Sequence, residues 1–493
     1  MITIAHKFTS FLSKLHCNNP SATIHRGISV ITSRNCRQHR QFPLKRLQRL
    51  FCQRPTMSTF KFDDYDCIGF DLDNTILWYN ITNMVEMEYQ VMSRFLVEQK
   101  GYNAEYLEKP LTDEAIDFLQ KGLILDLDRG NILRTNRDGV IKMASHGTRF
   151  LTSSEIQKIY PNQRWEGIDL LTKDPMSVWN GPWSQKVRAL MDYFDMPFSL
   201  VFARAVDGID SKSEIPIEKY DIWPDIFAAA CNMFERTNFR EERGRYFQEL
   251  KSNPEKYFRK CSKEIVDWMR EVKREKTTFL ITGSNVDFAN FTATHVIGED
   301  WKSMFDVVIC FAKKPGFFVK DSPFWTVNDH QEKEMIAGEE LARGGVYSQG
   351  NWEELKSFLG RLSKKKHPKC LYVGDNLLQD VQIPSTLAGL DTVVVSEELH
   401  AEGMVNISWP HPDEKYLVSR AWGSYFSVDD GESREDSHWS NVVESHSRIC
   451  IPSLKVVAHQ RIDEAFRAFD RGHDKTRGFH PAAPAGIPSE AVS

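Results

Sequence analysis

From residue 62 onward, short and mainly apolar runs alternate with longer stretches whose apolar positions recur at helical spacing. The apolar runs are residues 67–70, 278–281, 305–309 and 370–373. Short apolar strands that are separated by helices are typical of a parallel sheet covered on both faces. The pattern therefore predicts an α/β fold with a Rossmann-like parallel-sheet core.

The interval between the first two runs is too long for a simple connection. Residues 81–100 have apolar side chains at helical spacing, residues 123–146 read as short strands broken by turn signals, and residues 186–260 are mainly helical in pattern. We therefore expect an inserted α+β cap domain. The predicted division is a cap at 81–260 and a catalytic core at 62–80 and 261–465.

Two polar segments of the chain are expected to lie outside this packed structure. The charged stretch 327–345 predicts a solvated loop. The C-terminal segment 466–493, which ends in a run rich in proline and alanine, predicts a disordered tail.

Polar residues suited to phosphate and metal chemistry follow each of the four apolar runs. Asp71 and Asp73 come directly after the first run, and Thr282 comes directly after the second. Lys314 follows the third run, and Asp375 follows the fourth. Because ligands of parallel sheets bind beyond the carboxyl ends of the strands, we expect these side chains to meet at one edge of the sheet.

These residue types supply the groups that phosphoryl transfer requires. Asp71 can attack phosphorus, and Asp73 can protonate the leaving group and then activate water. Thr282 can donate its hydroxyl to a phosphate oxygen, and Lys314 can supply positive charge. The carboxylates of Asp71, Asp73 and Asp375 suit Mg²⁺, which prefers oxygen ligands. The set indicates a magnesium-dependent phosphohydrolase.

Two neighbouring residues leave alternatives open. Lys313 competes with Lys314 for the cationic role, although Pro315 restricts the backbone of the residue before it and so favours Lys314. Asp380 is either an outer metal ligand or a residue that orients the lysine. Each motif alone is common in surface turns, and only their joint order at strand ends is specific.

Longer stretches of the chain are similar to a known family. The four motifs resemble those of the haloacid dehalogenase superfamily, and the longer stretches resemble the purine 5′-nucleotidase family over about residues 62–465. The stretches are 121–123, 130–133, 145–147, 314–318, 347–351, 372–375 and 422–424. The resemblance implies a haloacid dehalogenase-type core with a large cap between the first and second motifs. It also implies Mg²⁺ dependence and hydrolysis of nucleoside 5′-monophosphates through a phospho-aspartate at Asp71.

The same resemblance implies a substrate-binding pair in the cap. In that family an arginine four residues before an aspartate of a cap helix reads the base. Asp207 matches the aspartate, but Ala203 holds the place of the arginine and Arg204 lies one residue later. Asp210 stands where a histidine is expected. Arg204 and Asp207 are thus the implied substrate-binding residues, with an ion pair inside the cap as the alternative, and His146 is either a pocket residue or a satisfied hairpin histidine.

Charge and cysteine content narrow the range of partners. Residues 1–62 contain eleven Lys and Arg and no Asp or Glu, whereas the remainder contains 52 basic and 68 acidic residues. So acidic a body predicts no binding of nucleic acid. No apolar run approaches the roughly 18 residues that a membrane span needs. The nine cysteines lack C-x-x-C spacing, which predicts neither a disulfide scaffold nor a zinc site.

The basic leader, residues 1–61, bears on localisation. It is amphipathic, contains Arg and Ser and lacks acidic residues, and it therefore resembles a mitochondrial transit peptide. The alternative is that translation starts at Met57, which would leave the protein in the cytoplasm.

The leading hypothesis is a Mg²⁺-dependent 5′-nucleotidase whose partner is a small-molecule phosphate ester, with a nucleoside monophosphate as the expected substrate. A phosphatase for another small phosphate ester would keep the chemistry and change the substrate. A binding or regulatory protein with low turnover would keep only the fold. The sequence leaves open whether copies of the chain form a homo-oligomer.

Overall fold

The computed structural model describes residues 59–404, 411–470 and 476–487. Its strands, in chain order, are β1 (Thr59–Phe60), β2 (Cys67–Phe70), β3 (Trp78–Tyr79), β4 (Ile124–Asp126), β5 (Asn131–Thr135), β6 (Ile141–His146), β7 (Arg149–Phe150), β8 (Val187–Ala189), β9 (Phe258–Arg259), β10 (Thr277–Ile281), β11 (Val307–Cys310), β12 (Phe324–Asn328), β13 (Gln331–Ile336), β14 (Gly345–Gln349), β15 (Cys370–Gly374), β16 (Asp391–Val395), β17 (Ser427–Asp429), β18 (Arg434–Asp436), β19 (Ile449–Ile451) and β20 (Phe466–Arg467). The central sheet has nine strands in the order β13-β12-β14-β11-β10-β2-β15-β16-β19. The strands from β14 to β19 in that order run parallel, and the β12–β13 hairpin adds two antiparallel strands at one edge.

The described residues contain helices in both the core and the cap. In chain order they are α1 (Ile81–Lys100), α2 (Ala104–Leu107), α3 (Asp113–Ile116), α4 (Ser153–Ile159), α5 (Glu166–Lys173), α6 (Pro175–Asn180), α7 (Met196–Asp210), α8 (Trp223–Met233), α9 (Arg236–Arg240), α10 (Arg245–Ser252), α11 (Pro254–Tyr257), α12 (Lys263–Glu275), α13 (Val286–Val296), α14 (Trp352–Ser363), α15 (Ile383–Leu387), α16 (Glu398–Ala401), α17 (Glu414–Leu417), α18 (His438–His446) and α19 (Lys455–Ala458). Two of the core helices, α12 and α14, cover opposite faces of the central sheet. Trp268 of α12 packs against Phe70 with ring centroids 6.2 Å apart, and Trp352 of α14 packs against Phe279 at 6.0 Å. These pairs belong to separate apolar clusters, so strands that are apolar at successive positions bury both faces. The predicted α/β class is confirmed.

Strand β2, which ends just before Asp71, contains a glycine because its neighbour β10 places an aromatic ring against it. Gly69 is paired in register with Phe279. A Cβ on Gly69 would lie 2.1 Å from the Phe279 ring. A glycine is therefore required where the aromatic ring crosses the strand, two residues before Asp71.

The inserted segment forms a second, antiparallel sheet with helices around it. Its strand order is β7-β6-β5-β4-β8. The chain leaves the core through β3 and returns through β9, and these two strands pair antiparallel. The α+β cap between the first and second motifs is thus confirmed, including the expected helix Ile81–Lys100. The boundaries at residues 80 and 260 stay predictions.

Residues of the core between the parallel strands β16 and β19 form hydrogen bonds with the cap. The indole Nε1 of Trp439 donates a 2.7 Å hydrogen bond to the carbonyl of Gly122. The guanidinium of Arg134, in β5, donates to the carbonyl of Ser424. Both donors are buried, and so removing either would leave a cap group or a core carbonyl without its partner.

The structure corrects two expectations about polar segments. The stretch 327–345 contains β13, the edge strand of the central sheet, rather than only a solvated loop. Its charged side chains are exposed while its backbone pairs, which is common at sheet edges. In the segment 466–493, β20 pairs with β1, and the Phe479 ring is buried against Phe426 at 5.5 Å. The expected disorder is therefore wrong for its described residues, because their aromatic side chains fill apolar gaps in the core.

The basic leader lies outside the described residues up to residue 58. Among the described residues, no helix combines the length and the apolar character that a membrane crossing requires.

Candidate active site

The ends of four adjacent strands carry the residues that the sequence singles out. Asp71 follows β2, Thr282 follows β10, Lys314 lies beyond β11, and Asp375 follows β15. These strands are neighbours in the order β11-β10-β2-β15. The backbone N–H of Asp71 donates to the carbonyl of Val373 at 2.8 Å, which continues the pairing of β2 with β15 past its last residue. The parallel register therefore brings the side chains to one sheet edge.

Lys314 is the cation at the centre of this edge. Its Nζ lies 2.6 Å from Asp380 Oδ1, to which it donates, and 2.9 Å from Asp71 Oδ1 in a close ion-pair contact. Burial alone would lower the pKa of Lys314, but the carboxylates of Asp380 and Asp71 outweigh that effect and raise it. The lysine therefore stays charged inside the protein.

Asp380, for which the sequence left two roles open, contacts Lys314 and also lies among the carboxylates. A Cβ on Gly374 would lie 2.5 Å from Asp380 Cβ, so the glycine at the end of β15 lets Asp380 approach the strand. The backbone N–H of Asn376 donates to Asp380 Oδ2 at 3.2 Å. Asp380 is thus held between the lysine and the turn that carries Asp375.

One group among the described residues has the geometry to hold a metal ion. Single oxygens of Asp71, Asp375 and Asp380 all lie within 4.8 Å of one another. Asp375 Oδ2 is buried without a hydrogen-bond partner. Burial raises the pKa of Asp71 to about 8, helped by Asp380 and opposed by Lys314. A hard divalent cation would neutralise this crowded set and satisfy the free oxygen, so the residues fit Mg²⁺.

Asp73 is not part of that group, which differs from the expected ligand set of Asp71, Asp73 and Asp375. The hydroxyl of Tyr79 donates to Asp73 Oδ1 at 2.7 Å. The hydroxyl of Ser284 donates to Asp73 Oδ2 at 2.6 Å, and Thr282 Oγ1 lies 3.5 Å from the same oxygen. Hydroxyl donors thus occupy both side-chain oxygens of Asp73, and Asp380 rather than Asp73 lies with Asp71 and Asp375.

Ser284 was missed by the sequence reasoning, although a signal for it was present. It follows Thr282 by two residues, and its backbone N–H donates to Thr282 Oγ1 at 3.0 Å. Two hydroxyl residues with this spacing after a strand form a local turn that presents both side chains to the same space. Thr282 is thereby positioned by Ser284, and both are fully buried.

The cap closes over this edge and contributes side chains of its own. Asn74 adopts a left-handed φ of 54°, which asparagine tolerates, and its amide donates to Asp192 Oδ1 of the cap at 3.2 Å. Burial raises the pKa of Asp192 to about 6, and Asp195 and Asp73 add to the rise. Lys121 of the cap is also buried near this edge. Asp192 was not identified from the sequence, and Lys121 was noted only as part of the family-like stretch 121–123, without a role in the site.

Lys313 lies outside the centre. Its Nζ donates to Gln349 Oε1 at 2.8 Å and lies 5.0 Å from the centroid of the Phe311 ring. The geometry therefore favours Lys314 over Lys313 for the cationic role.

Arg204 and Asp207, the implied substrate-binding pair, have separate partners within the cap. The guanidinium of Arg204 donates to the hydroxyl of Tyr89 at 2.6 Å and to the carbonyls of Lys109 and Pro110 at 2.7 and 2.9 Å. Asp207 accepts from the backbone and the hydroxyl of Thr148 at 3.1 and 2.7 Å. Among the described residues the two do not form the ion pair that was the alternative, and neither contacts the carboxylate group.

His146 is held at the end of β6 by a small polar network. Its Nδ1 lies 2.8 Å from Asn131 Oδ1, and its Nε2 lies 3.0 Å from Asp210 Oδ2. The hydroxyl of Tyr220 donates to Asp210 Oδ1 at 2.5 Å. His146 and Asp210 therefore satisfy each other, as expected for a hairpin histidine.

Comparison with known proteins adds independent findings. The sequence profile of the 5′ nucleotidase family matches residues 55–467. The chain is 33% identical over 450 residues to 5′-nucleotidase domain-containing protein 1 of Homo sapiens, a match that covers 86% of this chain and 96% of that protein. It is 26% identical over 363 residues to 5′-nucleotidase domain-containing protein 2 of Homo sapiens, covering 73% and 64%. A solved structure, the putative HAD-hydrolase YfnB from Bacillus subtilis bound to magnesium, is similar with 11% identity and a TM-score of 0.26 over 68% of this chain and 89% of that chain.

The family expected from the motifs is thus confirmed by a match that spans most of the chain. The matched range contains every residue of the carboxylate and lysine centre. The chain is a phosphoric monoester hydrolase, and it belongs to the 5′ nucleotidase family.

Proposed function

We propose that the protein is a Mg²⁺-dependent 5′-nucleotidase that hydrolyses nucleoside 5′-monophosphates to nucleosides and phosphate through a phospho-aspartate. The observation that carries this proposal is the position of Asp71. It follows the central strand β2, contacts Lys314 at 2.9 Å, and is one of three carboxylates that could hold one cation. The names of the curated relatives and the matched family support the nucleotide substrate.

Asp71, Asp375 and Asp380 would hold Mg²⁺. When bound, the cation would neutralise charge on the phosphate oxygens and on the carboxylates. Side chains of the protein supply the remaining charge and hydrogen bonds. Lys314, held by Asp380, balances the charge that develops near Asp71, and Thr282 presents a hydroxyl towards the same edge.

In the first half of the reaction, a carboxylate oxygen of Asp71 forms a bond to phosphorus while the bond from phosphorus to the 5′ oxygen breaks. Asp73 donates a proton to the departing 5′ oxygen, which leaves as the nucleoside hydroxyl. The hydrogen bonds from Tyr79 and Ser284 fix the orientation of Asp73 for this transfer.

In the second half, Asp73 takes a proton from a water molecule, and the water oxygen attacks phosphorus. The bond between phosphorus and the Asp71 oxygen breaks and releases phosphate. Both carboxylates then return to their starting protonation states, so the cycle consumes one water for each ester. The burial of the site excludes other water molecules that would compete at phosphorus.

A panel of phosphate esters tests the proposal. We expect the purified chain with Mg²⁺ to release phosphate from nucleoside 5′-monophosphates faster than from sugar phosphates or p-nitrophenyl phosphate. Asp71→Asn should abolish turnover while the folded structure persists. Full activity of Asp71→Asn would contradict the mechanism, and phosphate release from no ester in the panel would favour a binding or regulatory role.

A second candidate substrate is another small phosphate ester, and the cap geometry motivates it. Arg204 is committed to the hydroxyl of Tyr89 and to two cap carbonyls, and Asp210 is paired with His146. The side chains expected to read a purine therefore have internal partners. A clear preference for a non-nucleotide ester in the same panel would replace the nucleotidase by this phosphatase.

A further inference from the structure

The cap places a second buried lysine beside the carboxylate centre, and its partner belongs to the core. Lys121 lies in the turn before β4, and its Nζ is 2.8 Å from Glu398 Oε1 in an ion-pair contact. Glu398 is the first residue of α16, which follows the core strand β16. The side chains are 3% and 1% exposed. A buried pair of this kind is costly to form and is strongly disturbed when either partner is removed alone.

Burial alone would lower the pKa of Lys121, but Glu398 and two further carboxylates outweigh that effect and raise it. The two further carboxylates are those of Asp375, one of the three that could hold a metal, and Asp192 of the cap. Asp375 Oδ2 is buried without a hydrogen-bond partner. An ammonium on a flexible four-carbon stem would be drawn to that free oxygen and would then compete with a divalent cation for it.

Several contacts hold the ion pair in its observed place. The hydroxyl of Ser396 donates to the second oxygen of Glu398, which fixes the carboxylate. The Nζ of Lys121 lies 4.5 Å from the centroid of the Tyr193 ring and 5.2 Å from that of Tyr425, so a cap ring and a core ring flank the ammonium. The direction of the lysine side chain is therefore set by both domains.

The backbone next to the lysine is fixed in the same way. Gly122 has a φ of 87°, and its N–H donates to the cap carbonyl of Leu190 at 2.6 Å. Its carbonyl accepts the core hydrogen bond from Trp439 at 2.7 Å. A Cβ at this position would lie 2.7 Å from the Tyr425 ring, so a side chain here would displace the turn. Lys121 thus starts from an anchored backbone.

We propose that the Lys121–Glu398 ion pair is a positioning device of the active site, in which Glu398 holds the cap ammonium beside Asp375 and keeps it from taking the place of the metal cation. The inference rests on the proposed function, because it gives Asp375 the role of a metal ligand. Lys121 and Glu398 act through Asp375 and are positioning residues, not catalytic ones.

The test is a double-variant comparison of Mg²⁺ binding, measured on the full chain by isothermal titration calorimetry without substrate. Glu398→Gln keeps the shape of the side chain and releases the ammonium of Lys121. We expect its Mg²⁺ affinity to fall about tenfold because the released cation occupies Asp375. Adding Lys121→Gln to the same chain removes that competitor and should restore the affinity to within about twofold of the unaltered protein.

Two further variants keep the comparison interpretable. Ser396→Ala loosens Glu398 without changing any charge, and it should weaken Mg²⁺ binding about threefold even if Glu398→Gln fails to fold. Lys142→Gln breaks another ion pair between cap and core, with Asp430 and Glu435, and it should leave Mg²⁺ affinity unchanged. A melting curve without metal shows that each variant is folded.

Each outcome decides the matter. Unchanged Mg²⁺ affinity in both Glu398→Gln and Ser396→Ala would overturn the inference, and so would a loss that Lys121→Gln does not repair. An equal loss in Lys142→Gln would assign the effect to general seating of the cap and overturn it as well. If the unaltered chain binds Mg²⁺ and hydrolyses its ester in these cases, the proposed function stands. Failure of the unaltered chain to bind Mg²⁺ would overturn both.

Discussion

Without divalent cations, the folded protein is expected to lose stability as the pH rises, because Asp71 is buried among other carboxylates. Burial raises the pKa of Asp71 from 3.8 to about 8, Asp380 and Asp73 add to the rise, and Lys314 opposes it. In the unfolded chain this carboxyl loses its proton near its ordinary pKa of 3.8. In the folded chain it keeps the proton until the pH approaches its raised pKa.

The sign and size of the effect follow from proton binding. Between the two pKa values the folded state binds one proton more than the unfolded state, so the free energy of unfolding falls as the pH rises. A single group changes the free energy of unfolding by about 1.4 kcal/mol per pH unit, or roughly 6 kcal/mol across the interval from the ordinary to the raised pKa. A cation bound by the same carboxylates would stabilise their charged forms, and so added Mg²⁺ should remove most of the loss.

The assay is urea unfolding between pH 5 and pH 8, in EDTA and in Mg²⁺, for the unaltered chain and for Asp71→Asn. The amide has nearly the shape of the protonated carboxyl and cannot ionise. At pH 8 in EDTA we therefore expect the inactive Asp71→Asn to be more stable than the unaltered protein, and we expect Mg²⁺ to reverse that order. The control is Asp329→Asn at an exposed residue between β12 and β13, which should not change the pH dependence. The reasoning is refuted if Asp71→Asn is the less stable protein at pH 8 without metal, or if both proteins show the same slope.

Three other expectations follow from the same geometry, and a fourth follows from the composition of the basic leader. Asp73→Asn should lower kcat by about 10²- to 10⁴-fold in kinetic assays and leave the Mg²⁺ affinity unchanged in calorimetry, because Asp73 lies outside the carboxylate group. A large loss of Mg²⁺ binding would show that Asp73 is a metal ligand. Ser284→Ala removes the 2.6 Å donor to Asp73, and we expect a loss of about tenfold in kcat with a change in unfolding free energy of only about 1 kcal/mol; an unchanged kcat would argue against it. Trp439→Phe removes the indole donor to Gly122, so we expect the free energy of unfolding to fall by about 1–2 kcal/mol and limited proteolysis to cleave the cap faster. Equal protection from the protease in both proteins would show that this hydrogen bond does not hold the cap on the core. For localisation, we propose import through the basic leader; fluorescent fusions with and without residues 1–56 should differ, and identical cytosolic signals would favour the start at Met57.

The catalytic residues at the strand ends could be predicted from the sequence because each lies close to a recognisable strand. Asp71, Asp73, Thr282 and Asp375 each stand within three residues of a short apolar strand. Parallel register then forces their side chains to a common edge, whatever the cap does. The same rule explains why the α/β class and the position of the insertion could be predicted from the sequence.

The rest of the site depends on contacts between distant parts of the chain. Lys121 and Asp192 belong to the cap, and no local pattern indicates that they approach the carboxylates. The role of Asp380 depends on the space that Gly374 leaves beside it. Sequence spacing therefore suggested Asp73 as a metal ligand. In the structure its two side-chain oxygens instead accept hydrogen bonds from the hydroxyls of Tyr79 and Ser284.

Arg204 shows the limit of transferring a family pattern by position. The helix Met196–Asp210 is almost wholly buried, so a guanidinium within it must find acceptors nearby. It finds the hydroxyl of Tyr89 and the carbonyls of Lys109 and Pro110. A shift of one residue along a helix turns a side chain by about 100°. An arginine at 204 rather than 203 therefore points in a different direction, where it meets these acceptors inside the cap.

The central claim is that Asp71 carries the phosphoryl group, and one measurement addresses it directly. The protein is mixed with a nucleoside 5′-monophosphate and Mg²⁺, quenched in acid within one turnover and reduced with borohydride, which converts an aspartyl phosphate to homoserine. Peptide mass spectrometry should then find homoserine at residue 71 in the unaltered chain and in Asp73→Asn. Phosphate release without any modification at residue 71, or with the modification at a different carboxylate, would contradict the account.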